Sequence, residues 1–138
     1  MAEINTYNPK KITLALGRHI ASGFADDSFI TIEPAGDGNS YVVGADGEVL
    51  ISVDPSSVFT VKVALLQRSK TNAYLNTMYE KLKSGQDGLF SVNIKDLIGK
   101  DKFTGSKAFV TKPASKGYGK AGTNREWEIV VVDGKHED

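Results

Sequence analysis

The stretch SVFTVKVALLQ, Ser57 to Gln67, decides the fold class. Phe59, Val61, Val63 and Leu65 recur at every second position, with Thr60 and Lys62 between them. Successive side chains of an extended chain point to opposite faces, so this stretch is a β-strand with one dry face and one wet face. The same alternation recurs on both sides of it. KKITLAL (Lys10–Leu16) sets Ile12, Leu14 and Leu16 on one side, and SFITIEP (Ser28–Pro34) sets Phe29, Thr31 and Glu33 against Ile30 and Ile32. LFSVNI (Leu89–Ile94), SKAFVTKP (Ser106–Pro113) and REWEIVVVD (Arg125–Asp133) continue the pattern. In the last of these, Trp127 alternates with Ile129 and Val131 and reads as a core anchor. Short β-branched runs separated by Gly, Pro, Asn and Asp predict a mainly β domain, sandwich-like or barrel-like.

YVVGADGEVLISV (Tyr41–Val53) places Asp46-Gly47 between two apolar runs, and GFADDSFITI (Gly23–Ile32) places Asp26-Asp27 before another. A calcium loop needs carboxylates at alternating positions and a distal bidentate Glu. Asp46 and Glu48 have no such company, and adjacent Asp26 and Asp27 would point to opposite faces of a strand. Asp-Gly instead suits the positive φ angles of a tight primed turn, so Tyr41–Val53 reads as a hairpin.

One helix interrupts the strands. In SKTNAYLNTMYEKLKSG, Leu75, Met78, Tyr79 and Leu82 follow helical spacing and predict one amphipathic helix over about 71–83. Ser69 or Thr71 can cap its start, Gly85 can close it, and Lys81 and Lys83 suit the negative end of its dipole. It is expected as a lid on one end of the β structure.

A chain of 138 residues makes one domain, 1–138, able to bury about two-thirds of its unfolded surface without disulfide or metal. It has no cysteine, which excludes thiol chemistry. MAEINTYNPKK lacks the apolar core of a signal peptide, and no apolar run approaches the ~20 residues that span a bilayer. A soluble chain is expected, with a flexible N-terminal arm (about 1–8) and a polar, mobile tail (about 133–138). Net charge is zero but uneven: residues 1–60 hold three bases and eight acids, and the remainder holds fourteen and nine. Ordinary solvated surface explains this asymmetry; complementary faces on neighbouring subunits are the alternative.

Catalytic constellations are sparse. The two histidines are His19, near an apolar strand, and His136, in the polar tail. GYGKAGTNR (Gly117–Arg125) lacks the spacing of a phosphate loop and reads as a mobile loop. Lys100, Lys102, Lys107, Lys112, Lys116 and Lys120 face one acid, Asp101, over that stretch. Lysines contact phosphate, but single-strand binders interleave exposed aromatics, which this segment does not. No enzyme, cofactor or metal is expected.

The order YNPKKITLALGRHI, GFADDSF, VGADGEV, a strand ending in LLQ before SKTN, then TKP and GTNREWEI, is similar to the tail tube proteins of contractile-tailed phages and related prophages. The similarity runs from about Tyr7 to Val132, and its specificity lies in the order and spacing of motifs that are individually weak. The resemblance implies a β-sandwich subunit with one helix, six subunits to a ring, and rings stacked into a hollow tube inside a sheath. It also implies passage of double-stranded DNA without sequence-specific binding, a tape-measure protein within, baseplate and terminator proteins as further partners, assembly in the host cytoplasm and a final place in the virion tail. A lumen that passes DNA avoids net positive charge. Asp26, Asp27 and Glu33 are therefore expected nearer the lumen than the lysines of residues 100–120. Asp46, Glu48 and the N-terminal arm are the ring-contact candidates, with Lys112, Lys116, Lys120 and Arg125 as further subunit contacts, although core and local pairing also suit Arg125. Two alternatives stand beside this role. One is a tail terminator or a baseplate or hub protein on the same fold; the other is a small β-sandwich ligand-binding module, which would expose a row of aromatics.

Overall fold

The computed structural model describes residues 4, 6–25 and 29–137. Among them, after a short 3-10 turn at Pro9–Lys11, ten strands and one α-helix follow in chain order: β1 (Ile12–Leu16), β2 (His19–Ile20), β3 (Ile30–Pro34), β4 (Ser40–Val43), β5 (Val49–Ser52), β6 (Phe59–Leu65), α1 (Lys70–Lys83), β7 (Phe90–Asp96), β8 (Lys102–Lys112), β9 (Arg125–Val131) and β10 (Lys135–Glu137). All pairings are antiparallel. One sheet runs β2-β1-β7-β8-β9-β6-β3, with β10 beside β8, and β4-β5 stands apart as a two-stranded hairpin.

The large sheet wraps around one core because β8 bends. Its first half pairs with β7 on one side and β10 on the other; its second half pairs with β9. Phe90 faces Ala108 while Val92 faces Gly105, so β8 carries an extra residue there. Such a bulge bends a strand and sharpens its twist. Asp133 holds the bulge, its carboxylate accepting from the Ser106 and Lys107 amides at 3.0 Å each and from the Ser106 hydroxyl. A side chain at position 105 would run into Val131, so glycine is required at the bend. Leu14, Leu16, Val92 and Ile94 from one half of the curled sheet meet Val61, Val63, Leu65, Trp127, Ile129 and Val131 from the other. The expected mainly β, sandwich-like architecture is what forms.

Hydrogen bonds from Ser106 and Lys107 hold the Asp133 carboxyl below the usual carboxylate range. A depressed folded pKa contributes stability that is present above the unfolded value and is lost as pH falls through the folded one. Asp133→Asn is therefore expected to lower the thermal midpoint at neutral pH, with wild type and variant converging in acid. A midpoint difference that widens as pH falls would contradict this role.

The helix starts at Ser69, whose hydroxyl accepts from the Thr71 amide at 3.2 Å. It closes on Gly85 at φ 83°, with the Gln86 amide on Lys81 O at 2.8 Å and the Gly85 amide on Leu82 O at 3.2 Å. That bond pair is a Schellman motif. Leu75 is fully buried, and Met78, Tyr79 and Tyr74 pack partly against the core. Leu82, expected on the stripe, is exposed, while Thr71 and Tyr74 extend the buried face at the other end. The helix covers the pole of the sheet where β6 ends and β7 and β9 begin, packing on β8 and β2.

Two expectations are corrected. Lys135–Glu137, expected as a mobile tail, pairs as β10 with β8, and the His136 ring sits 4.9 Å from Phe59 and 5.1 Å from Phe103. The turn at Asp46-Gly47 is not primed, because among the described residues, Asp46 included, only glycines have a positive φ. Gly47 donates to Gly44 O at 3.0 Å, takes φ 89°, and Gly44 donates to Glu48 O at 2.7 Å. This is the three-residue loop in which a type I turn is followed by a left-handed glycine.

Candidate assembly interface

The β4-β5 hairpin springs from the pole opposite the helix, since β3 ends and β6 begins there with Pro34 beside Phe59. Tyr41, Val43, Val49 and Ile51 lie on one of its faces, Val42 and Leu50 on the other. Every residue of both strands is exposed; Tyr41 is 71% and Leu50 70% accessible. An isolated two-stranded hairpin is marginal in water, and contiguous exposed apolar surface of this kind marks an interaction site. Residues 35–61 carry Asp37, Asp46, Glu48 and Asp54 without one Lys or Arg. Asp46 Oδ1 accepts from the Glu48 amide at 3.2 Å, and Asn39 Oδ1 accepts from the Asp54 amide at 2.8 Å across the hairpin base. The tip therefore presents the Glu48 carboxylate on an acidic, apolar finger.

The helix pole has the opposite character. Arg18, Arg68, Lys70, Lys116 and Lys120 are exposed there against the exposed acids Glu80, Asp87 and Glu126, and the loop Pro113–Asn124 contains no acid. Thr123 ties that loop down, its amide on Gln67 Oε1 at 3.2 Å and its hydroxyl on Gly117 O at 2.7 Å. Arg125 does not stand on the surface. It is 8% accessible, its Nε has no hydrogen-bond partner, and its guanidinium carbon lies 6.0 Å from the centre of the Tyr118 ring. Its neighbour in β9, Trp127, is buried and donates from Nε1 to Asn72 Oδ1 at 2.9 Å, joining the sheet to the helix.

On the outer face of the sheet, Thr31, Lys62, Glu128 and Lys112 stand in one cross-strand row. Glu33 reaches Lys62 at 3.8 Å, an exposed pair that stabilises little. A cleft of about 490 Å³ lies between this row and the loop, lined by Lys62, Lys112, Ser115, Asn124, Glu126 and Glu128. Glu33 and Lys112 share this outer face, because a register shift between Val110 and Lys112 turns Lys112 away from the buried side that Val110 faces and sets it opposite Glu128. Asp26 and Asp27 lie outside the described residues.

The histidines are structural. His19 Nε2 meets Thr71 Oγ1 at 2.9 Å and its ring stacks on Tyr74 at 4.7 Å, where burial pushes the Tyr74 hydroxyl up. Among the described residues, no three His, Asp or Glu side chains cluster as metal ligands. Glu137 is held below the usual carboxylate range by its hydrogen bond to Lys102, at 3.0 Å, and fastens β10 to β8. The buried face of Arg125 was legible in sequence: positions 125, 127, 129 and 131 share one side of a period-two strand.

The fold is that of proteins at the end of contractile injection tubes. A sheath/tube terminator of an extracellular contractile injection system (PVC, extended state) superposes with TM-score 0.68 at 10% identity, covering 99% of this chain and all of that one. The tube-terminating cap of the anti-feeding prophage superposes with TM-score 0.59 at 13% identity, covering 99% and 94%. In sequence, the chain is 26% identical over 137 residues to structural protein ORF10 of Pseudomonas phage KPP10, covering 94% of this chain and 79% of that protein. Residues 14–136 match the family described as Bacteriophage PhiTE tail tube protein, and the chain belongs to that family. It is a phage structural protein of the tail.

Proposed function

We propose that this chain is the repeating subunit of the tail tube, forming rings of six that stack into a hollow conduit inside a contractile sheath. The observation that carries this reading is the exposed hairpin, acidic and apolar, at one pole, with a basic pole opposite. A face that meets a different face of the next copy gives a head-to-tail contact, which continues indefinitely along an axis where it does not close. The tube encloses the tape-measure protein and passes double-stranded DNA without reading its sequence. The outer row of Lys62, Glu128 and Lys112, with Glu33 beside it, suits a wall that offers phosphate no continuous cationic track. Sheath, baseplate and terminator proteins are the further partners, assembly takes place in the host cytoplasm, and the chain performs no catalysis.

The likeness to two terminating proteins favours a second reading, in which the chain caps the tube instead of repeating along it. Negative-stain microscopy of the purified protein at low and high salt separates the two. Tubes of stacked rings are expected for the repeating subunit, more abundant at low salt because screening weakens the pole-to-pole attraction. Single rings that never stack at any salt would establish the terminator instead.

A further inference from the structure

Arg125 has no function within the subunit that its geometry explains. A guanidinium carries five donors in a planar fork and stays charged, so a buried one normally faces a carboxylate. Here no carboxylate among the described residues lies within 4.0 Å of Arg125, and Nε, which completes the side-on fork, is buried without a partner. Over the guanidinium, 6.0 Å from its carbon to the ring centre, lies Tyr118, itself 77% accessible and flanked by Gly117 and Gly119 in a loop without regular structure.

We propose that Arg125, roofed by Tyr118, is the receptor for Glu48 at the hairpin tip of a second copy. This rests on the head-to-tail stacking proposed above and names the residues that choose the register of the contact. The two groups belong to opposite poles: Glu48 extends beyond the Phe59 end of β6, while Arg125 pairs with Leu65 at the other end, about 20 Å along the strand. They cannot meet within one chain. Asp46 is engaged in its own turn, which leaves Glu48 as the unengaged carboxylate of the tip. A carboxylate arriving side-on takes two hydrogen bonds from Nε and one Nη, and swinging Tyr118 aside opens its path. Bidentate pairing fixes angle as well as distance, which a diffuse attraction between poles does not.

The test compares Glu48→Gln, Arg125→Met and the double variant in sedimentation across a concentration series, with circular dichroism confirming that each folds. Each single change is expected to raise the concentration for half-assembly by about thirtyfold or more, and the double change by no more than either alone. Arg125→Lys, which keeps the charge without the fork, is expected to weaken assembly nearly as much as Arg125→Met. Should Arg125→Met not fold, disulfide trapping takes its place, which the cysteine-free chain makes clean. Glu48→Cys/Tyr118→Cys is expected to give a ladder of multimers on oxidation, with each single variant stopping at dimers. Wild-type tubes with single variants that assemble equally well, effects that simply add, or no ladder beyond dimers would overturn the receptor and leave stacking intact. A wild type that forms no tubes, whether or not it forms single rings, with no ladder, would overturn stacking and receptor together.

Discussion

Trp127→Ala is expected to cost about 3–5 kcal/mol of folding stability, the range for emptying a large aromatic site in a packed core. The indole is 5% accessible, lies between Arg125 and Ile129 on the inward face of β9, and faces Val63 across the ladder to β6. Its removal opens a cavity where the sheet meets the helix, and the surrounding strands cannot collapse into it without breaking register. A second loss adds to the first: Asn72 Oδ1, which accepts from Nε1 at 2.9 Å, loses its donor. Trp127→Phe separates the two, keeping most of the volume and dropping the hydrogen bond, so its cost is expected to fall well below that of alanine. Urea unfolding gives both numbers, read as a shift in midpoint with the slope unchanged. Since single domains are stable by about 5–15 kcal/mol, the alanine variant would forfeit a third or more of the total in most of that range. A cost under about 1 kcal/mol would mean that the helix is not anchored through this residue.

The parts of the fold that were legible in sequence are those whose pattern is set locally. β6 and β9 alternate without interruption, and their inward residues are the buried ones; Ser69, Gly85 and the helical spacing between them bound α1 closely. The sequence pattern marks β8 only from Ser106 onward, because Lys102–Gly105 offers one large apolar residue, Phe103, and a glycine where strands usually avoid one. That glycine is there for the bend, which depends on β7, β9 and Asp133, all distant in sequence. β10 was read as tail for the same reason. Nothing in DGKHED signals a strand, yet Gly134 allows close approach to Phe59 and Phe103, and His136 packs on both rings. The assembly surfaces were half legible. Asp46 and Glu48 were placed at a turn and stand at one, but opposite poles follow from strand direction and pairing order, which no local pattern encodes. The apolar hairpin did carry a signal: VLI at Val49–Ile51 leaves neither face of the strand polar, so a wet side was never available.

Leu50→Lys combined with Ile51→Lys, one charge on each face of the hairpin, is expected to abolish stacking while leaving the subunit as stable as wild type, within about 0.5 kcal/mol. Both side chains point into solvent in the single subunit, at 70% and 64% accessible, so the fold loses no buried contact. Full burial of a Leu, Ile or Val stabilises a contact by about 1.5–3 kcal/mol each, and a lysine placed in that contact forfeits this and adds a desolvation cost. The hairpin strands have four residues each and no neighbour in the large sheet, so the free subunit gives them little to fold against. Amide exchange at Tyr41–Val43 and Val49–Ile51 is therefore expected to be fast in the free subunit and slow in tubes, while β6 and β9 stay protected in both. Equal exchange rates at the hairpin in free and assembled protein would mean that some other surface joins the copies. So would tubes from the double-lysine variant. Loss of tubes with unchanged stability and assembly-dependent protection would instead assign the apolar finger to the contact between copies, since a folding defect would lower the midpoint and expose β6 and β9 as well.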